Sequence, residues 1–275
     1  MRRPTEPGET RPRITLYRGH ALEVLRQLPS DSVVACITSP PAWPVVGGYP
    51  VRPVVWPDGW RGHLGTEPDP ESYISHLVAV FREVRRVLHP RGILWLSLVE
   101  TFRGRRTVGI PWRTALAMVD DGWRLRQELI WHLTNAPRDE AADRFRRTHE
   151  HLLMFVRSSR YRFDAAAHRL GSLWVLPVPR SYPGSTFYNS PPELVRRCLA
   201  AGAVRAGEAV LDPFVGSGTV LAVAAERGCA GVGIEVNRRE IRVAARRLAR
   251  VARVEVVDGL VRRAVASTSS GCGEN

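Results

Sequence analysis

At 275 residues and 44% hydrophobic content, the chain is long enough for one substantial core, or a core with a small appendage. No apolar run reaches the ~18 residues of a membrane span, and the Arg-rich start lacks the apolar stretch of a secretory leader, so neither membrane insertion nor export is expected. A net charge of +13 suits a polyanionic partner.

Residues 1–13 are dominated by Arg, Pro, Glu and Thr without an apolar period, and are expected to form a disordered tail. Ile14–Tyr17 reads as a strand and Ala21–Leu28 as a helix, broken at Pro29-Ser30-Asp31. Val33–Ile37 is a continuous apolar run, the mark of a strand covered on both faces. The Pro-, Gly- and Trp-rich stretch from Ala42 to Pro70 reads as a long ordered loop. Glu71–Leu88 is an amphipathic helix, stopped by Pro90 and Gly92, and Ile93–Leu98 is another buried strand. Pro111 opens a helix running to about Asp120. Trp123–Trp131 and His151–Val156 read as strands flanking an Arg-rich loop. Residues 164–190 show little periodicity. Pro191–Ala201 is a helix capped by Gly202, followed by strand Ala209–Leu211, helix Val220–Arg227, strand Gly231–Ile234 and helix Arg239–Arg250. Residues 261–275 are expected to form a second disordered tail. The sum is seven strands mostly alternating with helices, an α/β domain over 14–260 with helices on both faces of the sheet.

All 40 basic residues are Arg and none is Lys, a bias that matches GC-rich coding. That bias does not explain the excess of positive charge, so the charge retains some weight as a sign of nucleic-acid binding. The four cysteines (Cys36, Cys198, Cys229, Cys272) are scattered with no C-x-x-C pair, and for Cys36, Cys198 and Cys229, which sit in apolar or helical contexts, buried thiols in a reducing cytoplasm are the expected reading. No zinc spacing is visible. In His149-Glu150-His151, successive strand residues point to opposite faces, so a structural cluster is expected there and no metal site.

Two distant strings carry chemistry. Thr38-Ser39-Pro40-Pro41 closes an apolar run with a hydroxyl and a carbonyl on a turn stiffened by two prolines. Asp212-Pro213-Phe214-Val215-Gly216-Ser217-Gly218-Thr219 runs from a strand through a Gly-rich turn into a helix, so a ligand can approach both the main chain and the helix N-terminus. Roughly 20 residues past this turn, a second strand ends in Glu235, whose carboxylate is placed to accept hydrogen bonds from ribose hydroxyls.

Together the strings resemble those of the DNA amino-methyltransferases, in the β arrangement with the Pro-Pro motif first and the Gly motif last. The likeness extends to Arg85-Arg86-Val87-Leu88, Ile110-Pro111-Trp112-Arg113, Gly122-Trp123, Arg147-x-x-His149-Glu150, Trp174-x-x-Pro177 and Thr186–Leu194. It implies a Rossmann-like, seven-stranded S-adenosylmethionine-dependent methyltransferase fold with circularly permuted motif order, its last two strands an antiparallel pair. It implies that S-adenosylmethionine is held by Asp212, Phe214, Gly216, Ser217, Gly218, Thr219 and Glu235, with His20 and Phe187 contributing. The family commonly has a Gly-Asp pair where this chain has Gly19-His20, and an imidazole cannot copy a carboxylate.

The resemblance also implies that Ser39 Oγ and the Pro40 carbonyl, on the turn that Pro41 completes, accept the two hydrogens of an exocyclic amino group. This draws electron density back to a nitrogen whose lone pair is delocalised into the ring. Base flipping follows from that placement. Ser before Pro-Pro commonly accompanies cytosine N4 methylation and Asp adenine N6. Cytosine C5 chemistry fits poorly because no Pro-Cys pair exists. The aromatic residue usual after Pro-Pro is here Ala42, leaving Trp43 as the stacking candidate; losing the stack would weaken base capture by ~1–3 kcal/mol. Adenine N6 or RNA methylation, and a nucleic-acid-binding pseudoenzyme, are the rival readings.

Double-stranded DNA is the expected partner, met by recognition loops at about 42–66, 100–110, 136–148 and 164–187. Arg103, Arg105, Arg106, Arg138, Arg144 and Arg146 are the candidate contacts. The same reading expects a monomer or homodimer in a restriction–modification or phage-related setting.

Overall fold

The computed structural model of the chain describes residues 11–45, 53–185 and 190–258. Its elements begin with β1 (Arg13–Arg18), α1 (Ala21–Leu25), β2 (Val33–Thr38), a hairpin of β3 (Val54–Val55) and β4 (Arg61–Gly62), and α2 (Pro70–Val87). Next come β5 (Leu88–Leu98), a hairpin of β6 (Phe102–Arg103) and β7 (Arg106–Thr107), α3 (Ile110–Asp120), β8 (Arg124–Leu133) and β9 (His149–Val156). A 3-10 helix at Ala165–Leu170 precedes β10 (Leu173–Leu176) and α4 (Pro192–Ala201). The chain then alternates through β11 (Ala209–Asp212), α5 (Thr219–Glu226), β12 (Ala230–Glu235), α6 (Arg238–Leu248) and β13 (Arg253–Asp258).

Nine strands form one sheet in the order β10-β8-β9-β5-β2-β11-β12-β1-β13. β9 runs antiparallel to its neighbours β5 and β8, and the other pairings are parallel. The Rossmann-like architecture and the antiparallel β8–β9 pair therefore match the expectation. The strand count does not: β10 and β13 extend the two edges of the expected seven. In β10, Trp174 and Leu176 are buried while Leu173 and Val175 are exposed, so an alternation of environment is hidden in four apolar residues. β13 is mostly exposed and carries charged residues, and it is held by backbone pairing to β1.

Two apolar layers sandwich the sheet, and residue parity sorts the strands between them. Cys36 of β2 and Leu94 and Leu96 of β5 pack with α1, α2 and α3. Ala35, Ile37, Ile93 and Trp95, their neighbours in sequence, pack with α4 and α5 on the other face. A third cluster joins β1 to α5 and α6 through Ile14, Leu16, Leu221, Ala244 and Leu248. Helix α2 starts where Asp69 caps it by accepting from the Ser72 N–H at 2.7 Å, with Pro70 in the first turn.

The expected tail over 1–13 ends earlier than read, because Arg13 already belongs to β1. The remainder of that tail and residues 261–275 lie outside the described residues, apart from positions 11 and 12. Among the expected recognition loops, 42–66 and 100–110 each carry a short hairpin, and 164–187 supplies the edge strand β10.

Candidate active site

The centre of the sheet brings the two motifs together. β2 and β11 are neighbours, with Ala35 level with Val210 and Cys36 with Leu211, so both strands end at the same edge. Just past this register, Thr38 Oγ1 donates to Asp212 Oδ1 at 2.7 Å. The same oxygen accepts the Phe214 N–H at 3.1 Å. Asp212 is buried, and burial pushes its carboxyl up to about 7, against the lowering effect of those two donors. It thus clamps the two motif turns together.

A cavity of about 790 Å³ opens over this junction. Ser39, Pro40, Pro41 and Ala42 form one wall, and Phe214, Gly216, Thr219 and Glu235 another. Ser39 is exposed, and the turn behind it is anchored by Tyr73 Oη, which donates to the Pro41 carbonyl at 2.8 Å. Gly216 has φ +47°, and a Cβ added there would meet nothing within 4 Å. The backbone therefore faces open space where a ligand can approach it. Gly218, at φ +81°, forms the N-cap of α5.

Glu235 accepts the Gly216 N–H at 3.1 Å through Oε2 and the Asn237 N–H at 2.8 Å through Oε1. Burial pushes its carboxyl to about 7 despite these donors. His20 lines the cavity beside Gly19; burial, with His63 and His76 nearby, lowers its imidazole to about 4, so it is neutral at pH 7.

Some expected site residues are placed differently. Trp43 is only 3% exposed and is absent from the cavity wall; its Nε1 donates to the Glu67 carbonyl at 2.9 Å. The Trp43 ring therefore packs the core and is not a platform for a base, because that hydrogen bond and its apolar neighbours hold it inward. Ser217 is buried, and its Oγ accepts from Arg247 Nη1 at 3.1 Å. Arg247 also donates to Thr219 Oγ1 at 2.7 Å, so α6 braces the glycine turn from behind. Ser217 and Gly218 shape the turn without lining the cavity. Phe187 lies outside the described residues.

The Arg candidates lie apart from the cavity wall. Arg103, Arg106, Arg138 and Arg146 are exposed. Arg105 pairs with Asp143 at 2.8 Å, while Arg144 grips Asp139 and covers the Phe102 ring at 3.6 Å. Pro137 and Arg147, at the two ends of this Arg-rich loop, do line the cavity.

Behind the Ser-Pro-Pro turn runs a polar chain that no motif of the sequence marks, from buried Glu67 and His76 out to exposed Asp58. Glu67 accepts the Gly65 N–H at 2.7 Å and pairs with His76 Nδ1 at 2.9 Å, and His76 Nε2 meets Asp58 Oδ2 at 3.1 Å. Burial lowers the His76 imidazole, but Glu67 and Asp58 outweigh it and leave the group raised. Trp56 stacks on His76 with ring centroids 4.1 Å apart, and the His20 ring meets Trp56 edge-on at 4.6 Å. His20 is thereby tied to the loop that carries Ala42. The available signal was His76 within the apolar face Tyr73, Ile74, Leu77 and Val80.

Comparison with known proteins identifies the family of the chain. The N6/N4 DNA methylase family model matches residues 33–246. Type II methyltransferase M.XycI of Xanthomonas campestris pv. cyanopsidis is 36% identical, over 85% of this chain and 87% of that protein. Type II methyltransferase M.SmaI of Serratia marcescens is 32% identical, over 84% and 89%. TTHA0409 of Thermus thermophilus, solved in complex with S-adenosyl-L-methionine, superposes with a TM-score of 0.67 at 27% identity, covering 90% of this chain and 98% of that one. The cytosine-N4-specific PvuII DNA methyltransferase shares the fold with a TM-score of 0.72 at 16% identity, over 86% and 89%. The chain belongs to the N6/N4 family of DNA amino-methylases, in the arrangement with the Pro-Pro motif ahead of the glycine motif.

Proposed function

We propose that the protein methylates the exocyclic N4 of cytosine within a specific sequence of double-stranded DNA, with S-adenosylmethionine as methyl donor and the target base flipped out of the duplex. One observation carries this reading: Ser39 and the Gly216–Glu235 wall face a single cavity, with their turns joined by the Thr38–Asp212 hydrogen bond.

The residues present fit the cofactor. Gly216 leaves its main chain open to the cavity, the N-terminus of α5 presents backbone N–H groups to a carboxylate, and Glu235 keeps lone pairs for two ribose hydroxyls. The neutral His20 ring offers one hydrogen bond where an acid is usual, and Phe214 and Ile234 add apolar surface. When bound, S-adenosylmethionine supplies an electrophilic methyl group.

On the opposite wall, Ser39 Oγ and the Pro40 carbonyl accept the two amino hydrogens and favour a pyramidal nitrogen. The Tyr73 hydrogen bond to Pro41 keeps these acceptors in place before the base arrives. Ser ahead of Pro-Pro supports cytosine over adenine. The names of the relatives support a restriction–modification setting.

A second reading, a DNA-binding pseudoenzyme, is favoured by the exposed Ala42 in the stacking position beside a buried Trp43. Incubation with labelled cofactor and mixed-sequence DNA, followed by nucleoside mass spectrometry, separates the readings. N4-methylcytosine supports the proposal, and N6-methyladenine replaces it with the adenine or RNA-type activity of the same fold. Duplex binding with no methylated nucleoside supports the pseudoenzyme.

A further inference from the structure

The cavity has a third wall, built by β8, β9 and the end of the Arg-rich loop, which the methyl-transfer reading leaves without a task. Glu150, Arg147 and Trp131 line it. Strand register fixes where it stands. Thr38 is level with Leu96, so Ser39 and Ser97 reach the sheet edge side by side. Leu98 is level with His151, and Trp131 with Glu150, so Glu150 rises from the same edge two strands along from Ser39. Two strand spacings are about 10 Å, which a single pyrimidine with a hydrogen bond on either side spans.

Both polar groups are built into the wall. Glu150 Oε2 accepts from Ser97 Oγ at 3.1 Å, which orients the carboxyl from β5. Arg147 Nη1 is buried and has no hydrogen-bond partner among the described residues. A buried guanidinium nitrogen without an acceptor is costly, and an arriving ligand with an acceptor removes that cost.

We propose that Glu150 and Arg147 read the ring edge of the flipped base, Glu150 as a neutral acid donating to cytosine N3 and Arg147 donating to O2, while Ser39 and Pro40 hold N4. This inference rests on the cytosine reading and assigns the residues that enforce it. Cytosine presents two acceptors beside its amino group. Adenine presents N1 and then a C–H, so it leaves Arg147 unpaired a second time. A missing partner of this kind is how a site built for hydrogen bonds rejects the wrong substrate. Burial pushes the Glu150 carboxyl above its ordinary value, against the opposing influence of Arg147, Ser97 and His151.

The test removes the acceptor from the DNA. A duplex carrying the mapped target cytosine is compared with the same duplex containing 3-deazacytosine, in which N3 is replaced by C–H. Wild-type kcat/KM falls ~10- to 100-fold on the deaza duplex, as expected for one lost hydrogen bond to a buried donor. Glu150→Ala is slower on the normal duplex and indifferent to the deaza change, whereas Glu150→Gln, which retains an N–H donor, recovers part of the activity lost in Glu150→Ala together with the sensitivity to N3. Arg147→Gln lowers kcat/KM yet remains sensitive to the loss of N3. If Glu150→Ala slows both duplexes by the same factor, Glu150 is structural and the inference falls while the cytosine reading stands. N6-methyladenine as product, or no product, overturns both.

Discussion

Ser39 and Ala42 sit three residues apart on one turn with opposite prospects. Ser39 presents an exposed hydroxyl to the cavity, at a turn fixed by two prolines and the Tyr73 hydrogen bond. On the proposed function its contacts serve the base, so Ser39→Ala is expected to lower kcat by ~100-fold or more, with cofactor affinity changed by less than about twofold. Single-turnover assays and calorimetric titration of the cofactor measure the two separately. A large loss of cofactor binding would show that the hydroxyl serves the other wall. Ala42 is exposed and lines the cavity, and the neighbouring Trp43 ring does not replace the missing aromatic, because it is committed to Glu67 and the core. Ala42→Tyr is expected to restore a stack worth ~1–3 kcal/mol and to raise kcat/KM; an unchanged rate would mean that the base is gripped elsewhere.

The element that sets this turn is the loop joining β2 to α2, and its keystone is Glu67. Glu67→Ala strips the partner from the Gly65 N–H and from buried His76 together. The expected cost is about 2–4 kcal/mol, read by urea denaturation, with a parallel fall in activity as the Pro41–Ala42 segment loosens. On the proposed function, the Arg-rich loop between β8 and β9 contacts DNA through its exposed arginines. Arg138 and Arg146 are exposed, whereas Arg144 is held by Asp139. Replacing Arg138 and Arg146 with Gln should flatten the dependence of log K on log salt by about 2, measured by titration of duplex DNA at several salt concentrations, with little change in melting temperature. An unaltered slope would remove them from the interface.

At the scale of the whole molecule, two carboxyls, buried Asp212 and half-buried Glu235, lie at the junction of the motifs. Glu235 moves from its ordinary 4.5, and Asp212 from 3.8, to about 7. Both folded values lie above the unfolded ones, so the folded state binds more protons through this window. Stability is therefore highest below it and falls as pH rises toward 7. His20, lowered from 6.5 to about 4, acts in the opposite sense up to 6.5, so the comparison must be between variants. Glu235→Gln is expected to flatten the decline in stability of the cofactor-free protein between pH 5 and 7 by at most about 1.4 kcal/mol per pH unit. Denaturant titrations at several pH values provide the measurement, and a slope identical to wild type would contradict the placement of that carboxyl.

What the sequence by itself determined is local and continuous. Apolar runs at Val33–Ile37 and Ile93–Leu98 marked strands covered on both faces, and the two motif strings marked the turns that carry Ser39 and Gly216. A run of adjacent residues expresses its own backbone preference and burial, so it can be read without knowing its neighbours. The edge strand β10 was missed because Leu173 and Val175 are apolar yet exposed, which erases the alternation. Only the tertiary structure decided that Trp43 faces the core, that Ser217 serves Arg247, and that Glu67, His76 and Asp58 form one chain behind the active turn. It alone decided that Thr38 meets Asp212 across 174 residues of sequence. Such contacts are set by strand order and register, and no local period records which distant side chain will stand across the gap.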